Sequence, residues 1–201
     1  FAQAASLPVA YGTAHRMMMT LGKISAGEKC LILGASGGVG TGCVMLAKMA
    51  GAEVVVCASS EDKLERLKGY GADHGINYID SAFEKEVWSL YGKPNRRNFE
   101  GGVDMVVNFT GGDTWAPSLK AMKRGARMMT CGATAGYDPK TDIRYIWTFE
   151  LQVLGSNSWE RSDLVQLMDY IQDGKMKPVV DRVFPLPEAR EALRLLEDRE
   201  V

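Results

Sequence analysis

Gly34-Ala35-Ser36-Gly37-Gly38-Val39-Gly40, lying between the apolar run Cys30 to Leu33 and a helical pattern from Val39 to Ala50, decides how this chain folds. Glycines at these spacings allow a tight turn, and they let a backbone approach a pyrophosphate whose charge is met by free N–H groups at a helix N-terminus. A glycine-rich string alone says little. This one follows a strand pattern, opens a helix and is followed by a second strand pattern, Glu53 to Ala58, at the distance a βαβ unit requires.

Working outward, apolar and β-branched runs alternate with helical patterns, as expected of strands in a parallel sheet with both faces covered. Ser59 and Ser60 precede Glu61 and Asp62, a capped start for a helix that Gly69 and Gly71 end. The later strands are expected at His74 to Asn77, Val103 to Phe109, Ala126 to Cys131 and Leu151 to Gly155, with helices at Phe83 to Tyr91 and Trp115 to Met122. Beyond Trp159 the βαβ spacing stops. Helices at Leu164 to Gln172 and Glu188 to Glu197 flank a short extended Val179 to Phe184. The expected class is α/β, a doubly wound six-stranded parallel sheet joined by helical and extended segments from an interdomain region. Residues 1–24 form a connecting helix, 25–158 a dinucleotide-binding domain, and 159–201 a segment returning toward a substrate domain.

Composition narrows the classes further. The chain has 201 residues, 24 Lys plus Arg and 25 Asp plus Glu, so a net charge of -1 offers no field for nucleic acid or an anionic membrane. No apolar run approaches the roughly 18 residues of a spanning helix. The four cysteines, Cys30, Cys43, Cys57 and Cys131, lack C-x-x-C spacing and sit in apolar stretches, as reduced thiols of a cytoplasmic protein do. His15 and His74 have no spaced partner for a metal. Met17 to Met19 suit packing, and Lys93 to Asn98, with Arg96 and Arg97, makes a solvated polar loop. A start at Phe1, without Met or a signal sequence, reads as part of a longer protein.

Three enzyme classes can own the turn. Gly34 to Gly38 also satisfies the G-x-S-x-G of serine hydrolases, but the only His after Ser36 is His74 and the required order of acid then His is missing. Gly34, Gly38 and Gly40 also fit the short-chain dehydrogenases, yet no Tyr in the chain is followed four residues later by Lys. The third class fits in order along nearly the whole chain. Tyr11-Gly12-Thr13-Ala14, Gly27-Glu28-Lys29, Leu33 to Gly40, Ser59 to Leu64, Gly71-Ala72-Asp73, Ile76-Asn77-Tyr78 and Cys131 to Thr134 together resemble the medium-chain dehydrogenase/reductase superfamily, above all its quinone oxidoreductase and zinc-type alcohol dehydrogenase-like branches.

The resemblance implies a Rossmann cofactor domain that hands hydride between NADP(H) and a carbonyl, quinone or enone. The class-different alternative is a non-catalytic nucleotide-binding module that senses redox state or supplies an interface. Ser36, Gly37, Gly38, Val39 and Gly40 would hold the pyrophosphate, and Cys131, Gly132, Ala133, Ser156 and Ser158 would border the nicotinamide. Asn108 and Thr110 lie at the end of the fourth strand, where parallel sheets bind ligands, and Thr110-Gly111-Gly112 equally suits a simple turn. Where NAD-specific folds carry an acid about 20 residues past the glycines, this chain has Ser59 and Ser60. Together with Lys63 and the Tyr78 hydroxyl they favour NADP, with NAD left open. Ser59 or Ser60 also suits a helix cap, and Lys63 a surface charge. Zinc-dependent members carry a third catalytic Cys before the Tyr-Gly element, where this chain has Ala5, so no metal is expected in these residues. The catalytic groups are expected in an N-terminal domain, which leaves the segment alone inactive. A homodimer through the sixth strand is the expected assembly.

Overall fold

The computed structural model describes residues 1–198 and 200. A helical run opens it: α1 (Ala2–Ser6) and α2 (Gly12–His15) alternate with wider π turns at Leu7–Tyr11 and Arg16–Leu21. The βαβ series follows as β1 (Lys29–Ile32), α3 (Gly38–Met49), β2 (Glu53–Ala58), α4 (Glu61–Gly69), β3 (His74–Asn77) and α5 (Phe83–Tyr91). After it come β4 (Val103–Val107), α6 (Trp115–Ala121), β5 (Met122–Thr130), α7 (Ile143–Thr148), β6 (Gln152–Gly155), α8 (Arg161–Gln172) and α9 (Ala189–Glu197).

All five strand pairings are parallel, and the order is β3-β2-β1-β4-β5-β6. Side chains alternate between the two faces along each strand, and both faces are buried. Cys30, Ile32, Val54, Val56, Met105 and Val107 point toward the opening helical run, α3, α4 and α8. Leu31, Val55, Cys57, Val103 and Val106 point toward α5 and α6. Chain order reverses between β1 and β4, so a crevice opens at their carboxyl ends, where the glycine-rich turn lies.

The structure departs from the sequence expectation at several element limits, among them α8, which opens at Arg161 rather than Leu164, and β1, which spans Lys29–Ile32 rather than Cys30 to Leu33. β4 stops at Val107, two residues early; the Asn108 side chain accepts from the Thr110 and Gly111 N–H groups and turns the chain away from the sheet. β5 begins at Met122 rather than Ala126, with an irregular register against β4 between Val103 and Met105. The short helix α7 was not expected; Asp142 caps it by accepting from the Arg144 N–H. Val179 to Phe184 lies outside the sheet, in keeping with the end of the βαβ spacing, and the Val179 N–H donates to the Tyr11 hydroxyl at 2.8 Å.

Candidate functional site

The turn after β1 is built from missing side chains. Gly34 takes φ +64°, and a Cβ there would lie 2.8 Å from the Phe109 ring. At Gly40 a Cβ would fall 2.6 Å from the Ala35 Cα and against the Gly34 carbonyl, so the first turn of α3 closes only over glycine. Gly37 caps that helix in extended conformation, with no side-chain hydrogen bond at the cap. The N–H groups of Gly38, Val39 and Gly40, first in the helix, therefore have no intrahelical acceptor and point out of the turn. Free N–H groups at a helix start can take an anion through backbone alone. Ser36 is half-buried beside them and Gly37 is exposed.

The ends of β2 and β3 place the second group. Ser59 is exposed, and Ser60 caps α4 by accepting from the Lys63 N–H at 3.4 Å. Lys63 is half-buried one turn on. Tyr78 follows β3 with 43% of its surface exposed, and its N–H donates to the Ala58 carbonyl at 3.2 Å, which draws the ends of β2 and β3 together. One small cavity brings Ser36 and Lys63 together and adds Thr41, Arg66, Val179 and Asp181, none of which the sequence reading selected. Arg66 stands three residues after Lys63 on α4, so helical spacing from Lys63 was the signal that could have found it.

The loops after β4, β5 and β6 form the third group. Asn108 is fully buried and saturated: its carbonyl accepts from the Thr110 and Gly111 N–H groups at 3.0 and 2.9 Å, and its amide donates to Thr114 and Ser118 at 3.1 and 2.9 Å. This side chain shapes the loop and has no amide hydrogen left over for a ligand. Thr110 is half-buried, and its carbonyl accepts from the Ala135 N–H at 2.7 Å, which ties the loop after β4 to the one after β5. Cys131 is half-buried at the end of β5, and burial pushes its thiol up to about 11, so it is no thiolate nucleophile at neutral pH. Gly132 and Ala133 are exposed just beyond it. Ser156 is buried with its hydroxyl unpartnered among the described residues, and its N–H donates to the Thr130 carbonyl at 2.8 Å. Ser158 is exposed at φ +55°.

Among the described residues no three His, Cys, Asp or Glu side chains are grouped to hold a metal ion, and Cys30, Cys43 and Cys57 are buried thiols that burial raises far above neutral pH. These side chains do not fit a zinc site. No described helix is long and apolar enough to cross a membrane.

Comparison with known proteins bears on the whole arrangement. A family model described as zinc-binding dehydrogenase matches residues 38–173. The acryloyl-coenzyme A reductase of Sulfurisphaera tokodaii is 30% identical over 197 residues, covering 96% of this chain and 54% of that protein. The crystal structure of an NAD-dependent alcohol dehydrogenase is 37% identical with a TM-score of 0.88, covering 99% of this chain and 56% of the other. The 2-octenoyl-CoA carboxylase reductase CinF, solved in complex with NADP and 2-octenoyl-CoA, is 27% identical with a TM-score of 0.87, covering 98% and 47%. The chain thus spans about half the length of the curated relatives it matches.

Proposed function

Because this chain belongs to the zinc-binding dehydrogenase family of the medium-chain dehydrogenases/reductases, we propose that it is the dinucleotide-binding part of an oxidoreductase acting with NADP(H) on a carbonyl, quinone or enone. One observation carries the reading. The Gly34 to Gly40 turn opens α3 with free N–H groups at the point where strand order reverses, and it is closed by contacts that only glycine allows. The nicotinamide, when bound, supplies or accepts the hydride. The chain's own part is to hold and orient it: Ser36, Gly37 and the free N–H groups of Gly38 to Gly40 at the pyrophosphate, and Cys131 to Ala133 with Ser156 and Ser158 beside the nicotinamide.

The absence of an acid at Ser59 and Ser60, with Lys63 and Tyr78 nearby, supports NADP over NAD. We place the domain limits at residues 25–158, with 1–24 as a connecting helix and 159–201 as a returning segment. An enone or enoyl thioester is the favoured acceptor class, since the acryloyl-coenzyme A reductase and CinF carry such substrates in their names. The acid or base of the reaction is assigned to none of the described residues. The four free thiols suit a reducing, cytoplasmic setting. Among the described residues β6 bonds only to β5 and leaves Gln152 and Val153 exposed on the sheet edge, so we propose a homodimer joined there.

Calorimetric titration of the 201-residue chain with NADPH and NADH tests the reading, followed by an assay of NADPH oxidation with enoyl thioesters, aldehydes and quinones. Binding with NADPH the tighter ligand, and no turnover by the chain alone, is expected. Failure to bind either dinucleotide overturns the proposal. Turnover by the chain itself would move the catalytic groups into the described residues.

A further inference from the structure

Between the glycine-rich turn and α4 lies a cavity of about 90 Å³, too small for a base and ribose together. Ser36 and Thr41 form one wall, Lys63 and Arg66 a second, and Val179 and Asp181 a third. Arg66 is the unexplained member. Asp62 precedes it by four residues on α4, a spacing at which acidic and basic side chains pair readily. Arg66 nevertheless makes no ion pair with any described residue; it is exposed and lines the cavity instead. Side chains on a helix lean toward its N-terminus, which carries the guanidinium back toward Lys63 and the Ser36 turn.

From this placement we propose that Arg66 grips a phosphoryl group of the bound dinucleotide, working with Lys63 from α4 and Ser36 from the turn. The inference rests on the dinucleotide reading and deepens it. A guanidinium offers a planar fork that meets two phosphate oxygens at once, where an ammonium offers a point charge, so the two cations contribute in different ways. Among the described residues Asp181 is the one carboxylate on the cavity wall, and it is already engaged, accepting from Arg182 Nε at 2.6 Å. Its charge is offset by the neighbouring residue, which leaves the Arg66 side of the cavity open to an anion. Two phosphoryl groups of NADPH could lie here, the pyrophosphate or the ribose 2′-phosphate, and NADH carries only the first.

Wild type, Arg66→Ala and Arg66→Lys would each be titrated with NADPH and with NADH by calorimetry, alongside thermal melts. Loss of a charge-assisted contact should weaken binding by roughly 10- to 100-fold in Arg66→Ala, with a smaller loss in Arg66→Lys. Melting should be unchanged, because the side chain is exposed and unpaired. A loss confined to NADPH assigns the grip to the 2′-phosphate, and an equal loss for both dinucleotides assigns it to the pyrophosphate. If wild type binds and Arg66→Ala binds both dinucleotides as tightly, the inference is overturned while the dinucleotide reading stands. If wild type binds neither, that reading fails first and takes this inference with it.

Discussion

Two turns stand side by side at the carboxyl ends of neighbouring strands, Gly34 to Gly40 after β1 and Asn108 to Gly112 after β4, and they are made in opposite ways. The first exists because side chains are missing: neighbours occupy the space where a Cβ would go at Gly34 and Gly40. The second exists because one side chain is present, the buried Asn108 amide that satisfies two N–H groups and reaches two hydroxyls on the way into α6. They also interlock, since the Phe109 ring fills the place vacated at Gly34. A turn made by absence leaves its backbone N–H groups free for a ligand. A turn made by a side chain uses them up.

The largest effect should come from filling the first turn. Gly40→Ala puts a methyl against backbone that cannot move aside, and a cost of about 3 kcal/mol or more is expected in urea unfolding, with dinucleotide affinity lost as the start of α3 shifts. Gly37→Ala sharpens the point. Its Cβ would meet only the Gly34 carbonyl, at 3.6 Å, so stability should fall by no more than about 1 kcal/mol while affinity drops because the methyl faces the ligand. Equal destabilisation by both substitutions would show that the turn is not organised by the contacts at Gly40.

Breaking the second turn should cost somewhat less. Asn108→Ala strands the Thr110 and Gly111 N–H groups in a buried place, for which about 2 to 3 kcal/mol is expected in the same unfolding experiment. Dinucleotide affinity should fall far less than in Gly40→Ala, since the Asn108 amide has no free donor to offer. A larger affinity loss than in Gly40→Ala would put Asn108 itself against the ligand.

This contrast explains what could be read from the sequence. The glycine turn is local: its spacing, the strand before it and the helix after it are all visible in one stretch, and β2, β3 and α5 follow with the limits the patterns suggest. Asn108 was legible as a residue near the site but not in its role, because Thr114 and Ser118 become its partners only once α6 packs. Arg66 was passed over for a similar reason. A surface arginine on a highly charged helix looks solvated until the C-terminal segment at Val179 and Asp181 closes the third wall beside it. α7 went unseen because its six residues are too few to show a period.

A third turn adds charge to the comparison. Asp163 is buried at the start of α8, where its carboxylate accepts from the Glu160 N–H, from Thr20 and from Arg16, with His15 Nδ1 at 3.0 Å. Burial by itself would raise this carboxyl, but the hydrogen bonds from Thr20, Glu160, His15 and Arg16 outweigh it and hold the group down at about 2. A carboxyl lower in the folded than in the unfolded chain stabilises at pH values above the ordinary carboxylate range, and that stability is lost as pH falls toward 2. The contribution is about 2 kcal/mol at neutral pH. Asp163→Asn should remove it and flatten the loss of stability between about pH 4 and 2. Nothing in the glycine turn titrates, so an unaltered acid profile in Asp163→Asn would mean that other carboxylates carry the acid sensitivity.

The smallest expected effect decides between two roles for one hydroxyl. Ser60 caps α4, but its bond from the Lys63 N–H is 3.4 Å, at the long end for such a contact, so Ser60→Ala should lower stability by only about 0.5 to 1 kcal/mol. That is the whole effect if the hydroxyl is a cap and nothing more. The same hydroxyl is placed beside Lys63 at the end of β2, where a dinucleotide's adenosine ribose would lie, and a direct contact there would appear as weaker NADPH binding beyond what the small loss of stability brings. Ser59→Ala serves as the reference, because Ser59 is exposed and does not cap the helix. If Ser60→Ala weakens NADPH while Ser59→Ala does not, the cap and the ligand share one oxygen, and a side-chain turn can serve a ligand after all. If only the melting temperature moves, Ser60 belongs with Asn108, as a residue whose hydrogen bonds are spent on shaping the chain.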